Sequence, residues 1–207
     1  MEDPALTARG RATRQRIVAA TGEKLLAAGI GATTLDEVRA ETLTSKSQLF
    51  HYFPGGKAEL VRAVATWEGA QLLAAQEPFV HDLSTWNSWE AWRAALVTYY
   101  IHRGRWACPI GSLATQLAAT DRETSASISQ AMAAWRHLLA DGVRRMQAAG
   151  LIDADAEPEH LAAAVLAAIQ GGLVLSQPER SDWPLRAALD QVLTSLHARV
   201  ASSASVT

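Results

Sequence analysis

Cysteine is almost missing from this chain of 207 residues, with Cys108 standing alone. A lone thiol excludes an intrachain disulfide and a cysteine-rich zinc site. The six histidines form no cluster at metal-ligand spacing and the carboxylates show no paired spacing, so neither a metal nor a cofactor is expected. Excess charge of one sign is scarce too. The formal net charge is −2 and 49% of residues are apolar, a balance that excludes a disordered chain and a polybasic coat. No unbroken apolar run approaches the roughly 18 to 20 residues of a membrane span. The first ten residues are polar where a signal peptide carries its apolar core. A soluble, cytoplasmic protein without membrane association is expected. Apolar and polar residues nowhere alternate long enough to demand a strand, so the fold class is read as all-α.

Helical periodicity fills the chain with about nine segments. The first runs from Thr13 to Ala28, with Ile17, Val18, Leu25 and Leu26 on one stripe, and Gly29-Ile30-Gly31 stops it. Thr34 and Glu37 have capping-box spacing for a short second helix ending near Glu41, and Thr44 or Ser45 caps a third through Tyr52. Pro54-Gly55-Gly56 separates that from a fourth, Lys57 to Gln76, which Pro78 breaks. Longer segments follow at Ser88 to Arg103, Pro109 to Ala119, Arg122 to Ala149, through Leu161 to Ser176 before a break at Pro178, and at Pro184 to Val200. Ala201 to Thr207 is expected to be a disordered tail. The two short helices across a tight turn read as a helix-turn-helix. Two domains are expected, 1–62 and 63–207. The first carries nine Lys/Arg against seven Asp/Glu, and Arg9, Arg11, Arg14 and Arg16 crowd its start. Such a cluster suits either a polyanion partner or a solvated leader.

The most specific stretch is Thr33 to Lys57, with Thr44-Ser45-Lys46-Ser47-Gln48-Leu49-Phe50-His51-Tyr52-Phe53 at its centre. A recognition helix sends its N-terminal side chains into the major groove, and Ser45, Lys46, Ser47 and Gln48 are polar residues at that end. Gln48 suits an adenine edge and Lys46 a guanine. Leu49 and Phe53, four apart, should face the core with Val38. His51 and Lys57 suit phosphate, although His51 and Tyr52 serve equally well as cover for a domain seam.

Over residues 13 to 62 the chain resembles the DNA-binding head of the TetR/AcrR-type transcriptional regulators, whose recognition helix reads Ser-Lys-Gly-Thr-Leu-Tyr-x-His-Phe followed by a helix-opening Lys. Phe50 to Lys57, with the later Cys108-Pro109-Ile110-Gly111-Ser112-Leu113-Ala114, resembles the multidrug-responsive repressors among them. The resemblance implies a repressor that binds a palindromic operator in double-stranded DNA as a homodimer and is released by a small hydrophobic or aromatic ligand. It also implies that Thr34 and the rings from Phe50 to Tyr52 hold the DNA backbone. Two departures stand out. Leu43 occupies the turn position where the family commonly has Gly, so a left-handed turn would be strained or reshaped. Phe50 replaces a frequent Tyr and has no hydroxyl to offer a phosphate.

Seven tryptophans, five of them between Trp67 and Trp106, concentrate in the body. Trp67, Trp89, Trp92, Tyr99 and Trp135, with His102, Leu113, Gln116 and Gln170, are candidate ligand contacts, and ordinary core serves as well for each ring. The eighth segment is apolar all round and rich in Ala and Gly, which suits burial on more than one side. Leu161, Ala164, Val165, Ala168 and Gly172 there, with Leu189, Val192 and Leu196 of the ninth, are candidate dimer contacts, paired in a four-helix interface as in the family. Cys108 and His102 have no third group at catalytic spacing, so an enzyme is not expected. The competing readings are a redox-sensing regulator acting through Cys108 and an all-α adapter that binds protein.

Overall fold

The computed structural model describes residues 6–102, 106–117 and 121–199, with the His102 side chain outside that set. Among the described residues there are nine α-helices, one short 3-10 turn at Phe79–His81 and no strand. The helices are α1 (Ala8–Ala32), α2 (Leu35–Thr42), α3 (Lys46–Tyr52), α4 (Gly56–Ala74), α5 (Trp86–His102), α6 (Pro109–Leu117), α7 (Arg122–Ala148), α8 (Pro158–Glu179) and α9 (Trp183–His197). The expected all-α class and element order hold. Val200 and the tail from Ala201 lie outside the described residues. By compactness the chain falls into two units, Met1–Ala70 with Pro109–Ser129 and Gln71–Cys108 with Gln130–Thr207, a different division from one at residue 62.

In the first unit, α1 starts at Ala8, five residues before the apolar pattern suggests. The Thr7 hydroxyl accepts from the Gly10 N–H at 3.1 Å and caps polar turns that carry no periodic signal. Ile17, Val18, Leu25, Val38, Leu49, Phe53, Leu60 and Val64 form the core, each at most 3% exposed. Gly29 leaves helical geometry at φ 81°, a left-handed value that glycine tolerates without a Cβ clash. The Ile30 N–H, released from the helix ladder there, donates to Oε1 of Gln116 in α6 at 2.7 Å. Asp121 caps α7, accepting from the Thr124 hydroxyl at 2.6 Å and from the backbone N–H groups of Glu123 and Thr124. These bonds hold its carboxyl below the usual range, the Thr124 hydroxyl first among them.

The second unit is organised around Gln76, fully buried in the turn two residues past the end of α4. Its Oε1 accepts from the indole N–H groups of Trp92 at 2.8 Å and Trp135 at 2.9 Å, while its Nε2 donates to the Leu72 carbonyl at 2.9 Å. Trp89 meets Trp92 edge to face with centroids 5.6 Å apart. α5 joins α9 through the Arg93–Asp190 ion pair and the stacking of Trp86 on His197. α8 and α9 run close together because Gly172 has no side chain: a Cβ there would lie 2.7 Å from the Leu185 Cα. α8 also corrects two expectations. It continues through Pro178 to Glu179 and ends at Arg180 in the left-handed conformation, since a proline in the last turn removes only one bond of the ladder. At 22 residues it is long and apolar enough to cross a bilayer, which unbroken runs concealed because His160 and Gln170 interrupt it. One side of it is committed to the unit's core through Ala162, Val165, Ile169 and Leu173.

Candidate nucleic-acid interface

Two reciprocal caps build the surface formed by α2 and α3. The Thr34 hydroxyl accepts from the Glu37 N–H at 3.2 Å, and Glu37 Oε2 takes the Thr34 N–H at 2.7 Å, completing the box read from the sequence. Ser45 and Gln48 repeat it: Ser45 Oγ accepts from the Gln48 N–H and Gln48 Oε1 accepts from the Ser45 N–H, both at 3.1 Å. This second box makes Ser45 the cap of α3. Thr44 is buried and bonded instead to the Thr42 hydroxyl at 2.9 Å. The intervening turn is not reshaped. Leu43 adopts φ 50°, ψ 41° with its side chain 89% exposed, while its N–H and that of Thr44 both donate to the Arg39 carbonyl.

α3 is sharply two-sided. Leu49 and Phe53 are fully buried, whereas Ser45, Lys46, Ser47, Gln48 and His51 are exposed. Phe50 is 40% exposed and its ring edge would lie 3.7 Å from a Cβ on Gly56, the residue that opens α4. Tyr52 is half-buried and meets His51 edge-on, centroids 5.0 Å apart, and Lys57 in the first turn of α4 is half-buried. Negative charge beside this surface is occupied. The Thr34 N–H and hydroxyl hold Glu37 below the usual carboxylate range, and Glu59 accepts from the Gly55 N–H at 2.7 Å. Lys24 of α1 pairs with Glu41 at 2.7 Å, and Asp36 pairs with Arg39 at 2.6 Å. The unpaired character of the exposed α3 face is therefore basic and hydrogen-bonding, the chemistry that phosphates and base edges require. The dual use of Gln48 was not foreseen, although Ser45 and Gln48 stand at capping-box spacing in the sequence.

The candidate ligand residues divide between the two units. Trp67, half-buried, and Leu113, buried, belong to the first unit, where Leu113 lines a crevice of about 10 Å³ with Gly22, Leu25, Leu26, Val64, Pro109 and Ser112, room for about one water. Gln116, also there, is bonded to Ile30. In the second unit Trp89, Trp92 and Trp135 are at most 1% exposed; Trp92 and Trp135 are bonded to Gln76 and Trp89 packs against Trp92. Tyr99 is 9% exposed and packs edge-on against Tyr100. Gln170 keeps an enclosed Nε2 that makes no hydrogen bond. His102 lies outside the described side chains.

Several expected dimer contacts are committed within the single chain. Leu161, Val165, Gly172, Leu189 and Leu196 are buried, because the inward faces of α8 and α9 cover one another. Ala164 is exposed, and Ala168 and Val192 are half-buried. The accessible apolar surface missed from the sequence is Val174 at 64%, Leu175 at 58% and Trp183 at 65%. Spacing around α8 could not say which residues α9 would cover.

Comparison with known proteins agrees with this architecture. Residues 17–64 match the family described as bacterial regulatory proteins, tetR family, and residues 88–191 match the C-terminal domain described as transcriptional regulator LmrA/YxaF-like. An uncharacterized HTH-type transcriptional regulator in the lacX 3′ region of Lactococcus lactis subsp. lactis is 27% identical over 173 residues, covering 80% of this chain and 83% of that protein. Among solved structures, the regulatory protein TetR from Rhodobacter sphaeroides superposes with a TM-score of 0.79 at 21% identity, over 87% of this chain and 96% of that one. E. coli NemR in its reduced form gives 0.73 at 19% identity, covering 91% and 99%. The SmeT–triclosan complex gives 0.71 at 21%, covering 94% and 95%.

Proposed function

For a chain that belongs to the tetR family of DNA-binding bacterial transcriptional regulators, we propose the role of a ligand-responsive repressor. It binds a palindromic operator as a homodimer, in the cytoplasm, and performs no catalysis. The two-sided α3 carries this reading: Leu49 and Phe53 anchor the helix while Lys46, Ser47, Gln48 and His51 stand free to enter a major groove. Thr34 and Ser45, at the caps of α2 and α3, and Phe50, Tyr52 and Lys57 contact the flanking sugar-phosphate backbone. The adapter reading loses its support, because the family match covers the DNA-binding head.

The exposed Val174, Leu175 and Trp183, continuous with the exposed Ala and Gly positions of α8, favour a second copy as the partner of that face. Two heads so joined suit a palindrome with half-sites about 34 to 36 Å apart. For the ligand, the enclosed and unbonded Gln170 amide supports a small apolar or aromatic molecule with one acceptor, and a structural neighbour was solved with triclosan. To release DNA, that molecule must bind the DNA-incompetent arrangement better than the competent one. Cys108 is 3% exposed, which disfavours the thiol-sensing alternative by keeping the sulfur from solvent oxidants.

A gel shift of the full chain against the DNA upstream of its own coding sequence tests the reading. A salt-sensitive complex, abolished by Lys46→Ala with Gln48→Ala, is the expected result. Absence of binding at low salt overturns it.

A further inference from the structure

The family match begins at residue 17, yet α1 begins at Ala8, so more than two helical turns precede the shared head. Four arginines lie in those turns, and no Asp or Glu occurs between Asp3 and Glu23. The four divide by what they touch. Arg11 donates to the Leu6 carbonyl at 2.6 Å, and Arg14 lies over the Phe53 ring at 5.0 Å, so both are occupied within the head. Arg9 and Arg16 are exposed. Seven residues apart, they share one stripe of the helix at about 100° per residue, opposite the stripe that buries Ile17, Thr21 and Leu25.

The placement of this end of α1 follows from the same contacts. Arg14 sits at Phe53, the residue that ends α3, and borders a shallow surface with Glu59 and Arg62 of α4. The opposite end of α1 is bonded to α6 at Ile30, about 30 Å along the helix. Through Arg14, the arginine-bearing turns therefore meet the residue that ends α3 and the first turns of α4.

Resting on the DNA-binding reading above, we propose that Arg9 and Arg16 form a second DNA contact, which grips backbone phosphates flanking the bases read by α3 and carries no sequence preference of its own. A guanidinium on a long exposed side chain is suited to phosphate oxygens. Each neutralised phosphate adds about 0.9 to the slope of log affinity against log salt on duplex DNA.

The test uses the full chain with two probes: a 30-base-pair duplex selected by the wild-type chain from a random pool, and an unselected duplex of equal length. Arg9→Gln with Arg16→Gln should lower the salt slope by about two per bound head on both probes. The preference for the selected duplex should remain unchanged, as should the melting temperature. Arg9→Lys with Arg16→Lys should restore most of the slope. An unaltered slope overturns the proposal; if Lys46→Ala with Gln48→Ala still erases the preference, the DNA-binding reading survives that result. A changed preference also overturns it, by making the arginines readers of bases. Failure of the wild-type chain to bind either probe overturns both readings.

Discussion

Replacing Gln76 with Leu isolates one buried polar cluster of the second unit. Leucine nearly matches glutamine in volume, so the change removes hydrogen bonds with little change in packing. The indole N–H groups of Trp92 and Trp135 lose their shared acceptor, and both rings are at most 1% exposed, too deep for water to substitute. Leaving a buried donor unsatisfied costs about 1–3 kcal/mol, so two give about 2–6 kcal/mol. The apolar side chain recovers part of that, since burying leucine avoids desolvating an amide, and the net expectation is about 2–4 kcal/mol. That is a large share of the 5–15 kcal/mol typical of folded domains. Thermal melting followed by circular dichroism should fall by roughly 5–15 °C in a chain of this size. The double variant Gln76→Leu with Trp135→Phe should lose less than the sum of the single losses, because phenylalanine removes one of the stranded donors. In Gln76→Glu the buried carboxyl has its pKa raised above its unfolded value. That variant should be most stable at low pH and weaken as pH rises through the raised pKa. A Gln76→Leu protein melting within about 2 °C of wild type would refute the reasoning, because the indoles would then have to be satisfied elsewhere.

Leu43→Gly should raise stability by about 0.5–1 kcal/mol, since relief of the left-handed strain exceeds the added freedom of the unfolded chain, and a denaturant melt of the full chain reads it. Asp121→Ala should cost about 1 kcal/mol through the lost α7 cap. Because the Asp121 carboxyl is depressed in the fold, its contribution is complete above the unfolded aspartate pKa near 3.9 and fades as pH falls through the lower folded value, so wild type and variant should converge in acid melts. Leu175→Glu, at a side chain 58% exposed, should leave the helical signal intact and yield a monomer in sedimentation that binds the operator weakly; an unchanged dimer mass removes α8 from the interface.

What the sequence made legible follows the range of each signal. The cap of α2 was readable because Thr34 and Glu37 act across three residues, and that of α3 was narrowed to Thr44 or Ser45, while the reciprocal bond from Gln48 went unread. The break at Gly29 was readable because glycine marks a left-handed backbone, although α1 resumes beyond it to Ala32 instead of stopping there. Leu49 and Phe53 fell on the buried side of α3 because four-residue spacing repeats one face. The start of α1 at Ala8 was hidden, since polar capped turns have no apolar period. The aromatic body and the α8 face were hidden for a different reason. Whether Trp92 and Trp135 line a void or surround Gln76, and which alanines of α8 meet α9, depends on partners tens of residues away in sequence, which helical spacing cannot report.

Gln48 is held in place before any DNA arrives. Its Oε1 closes the turn that begins α3 by accepting from the Ser45 N–H. Were Gln48 to read an adenine with both the oxygen and the nitrogen of its amide, the oxygen would have to share its second lone pair or give that bond up. A base offering a single acceptor takes only the Nε2 and leaves the turn closed. On the proposed reading, the cap and the base contact draw on one oxygen, so an adenine N–H competes with or joins the Ser45 N–H there. The same small box that starts α3 therefore fixes the position from which the proposed base contact would begin.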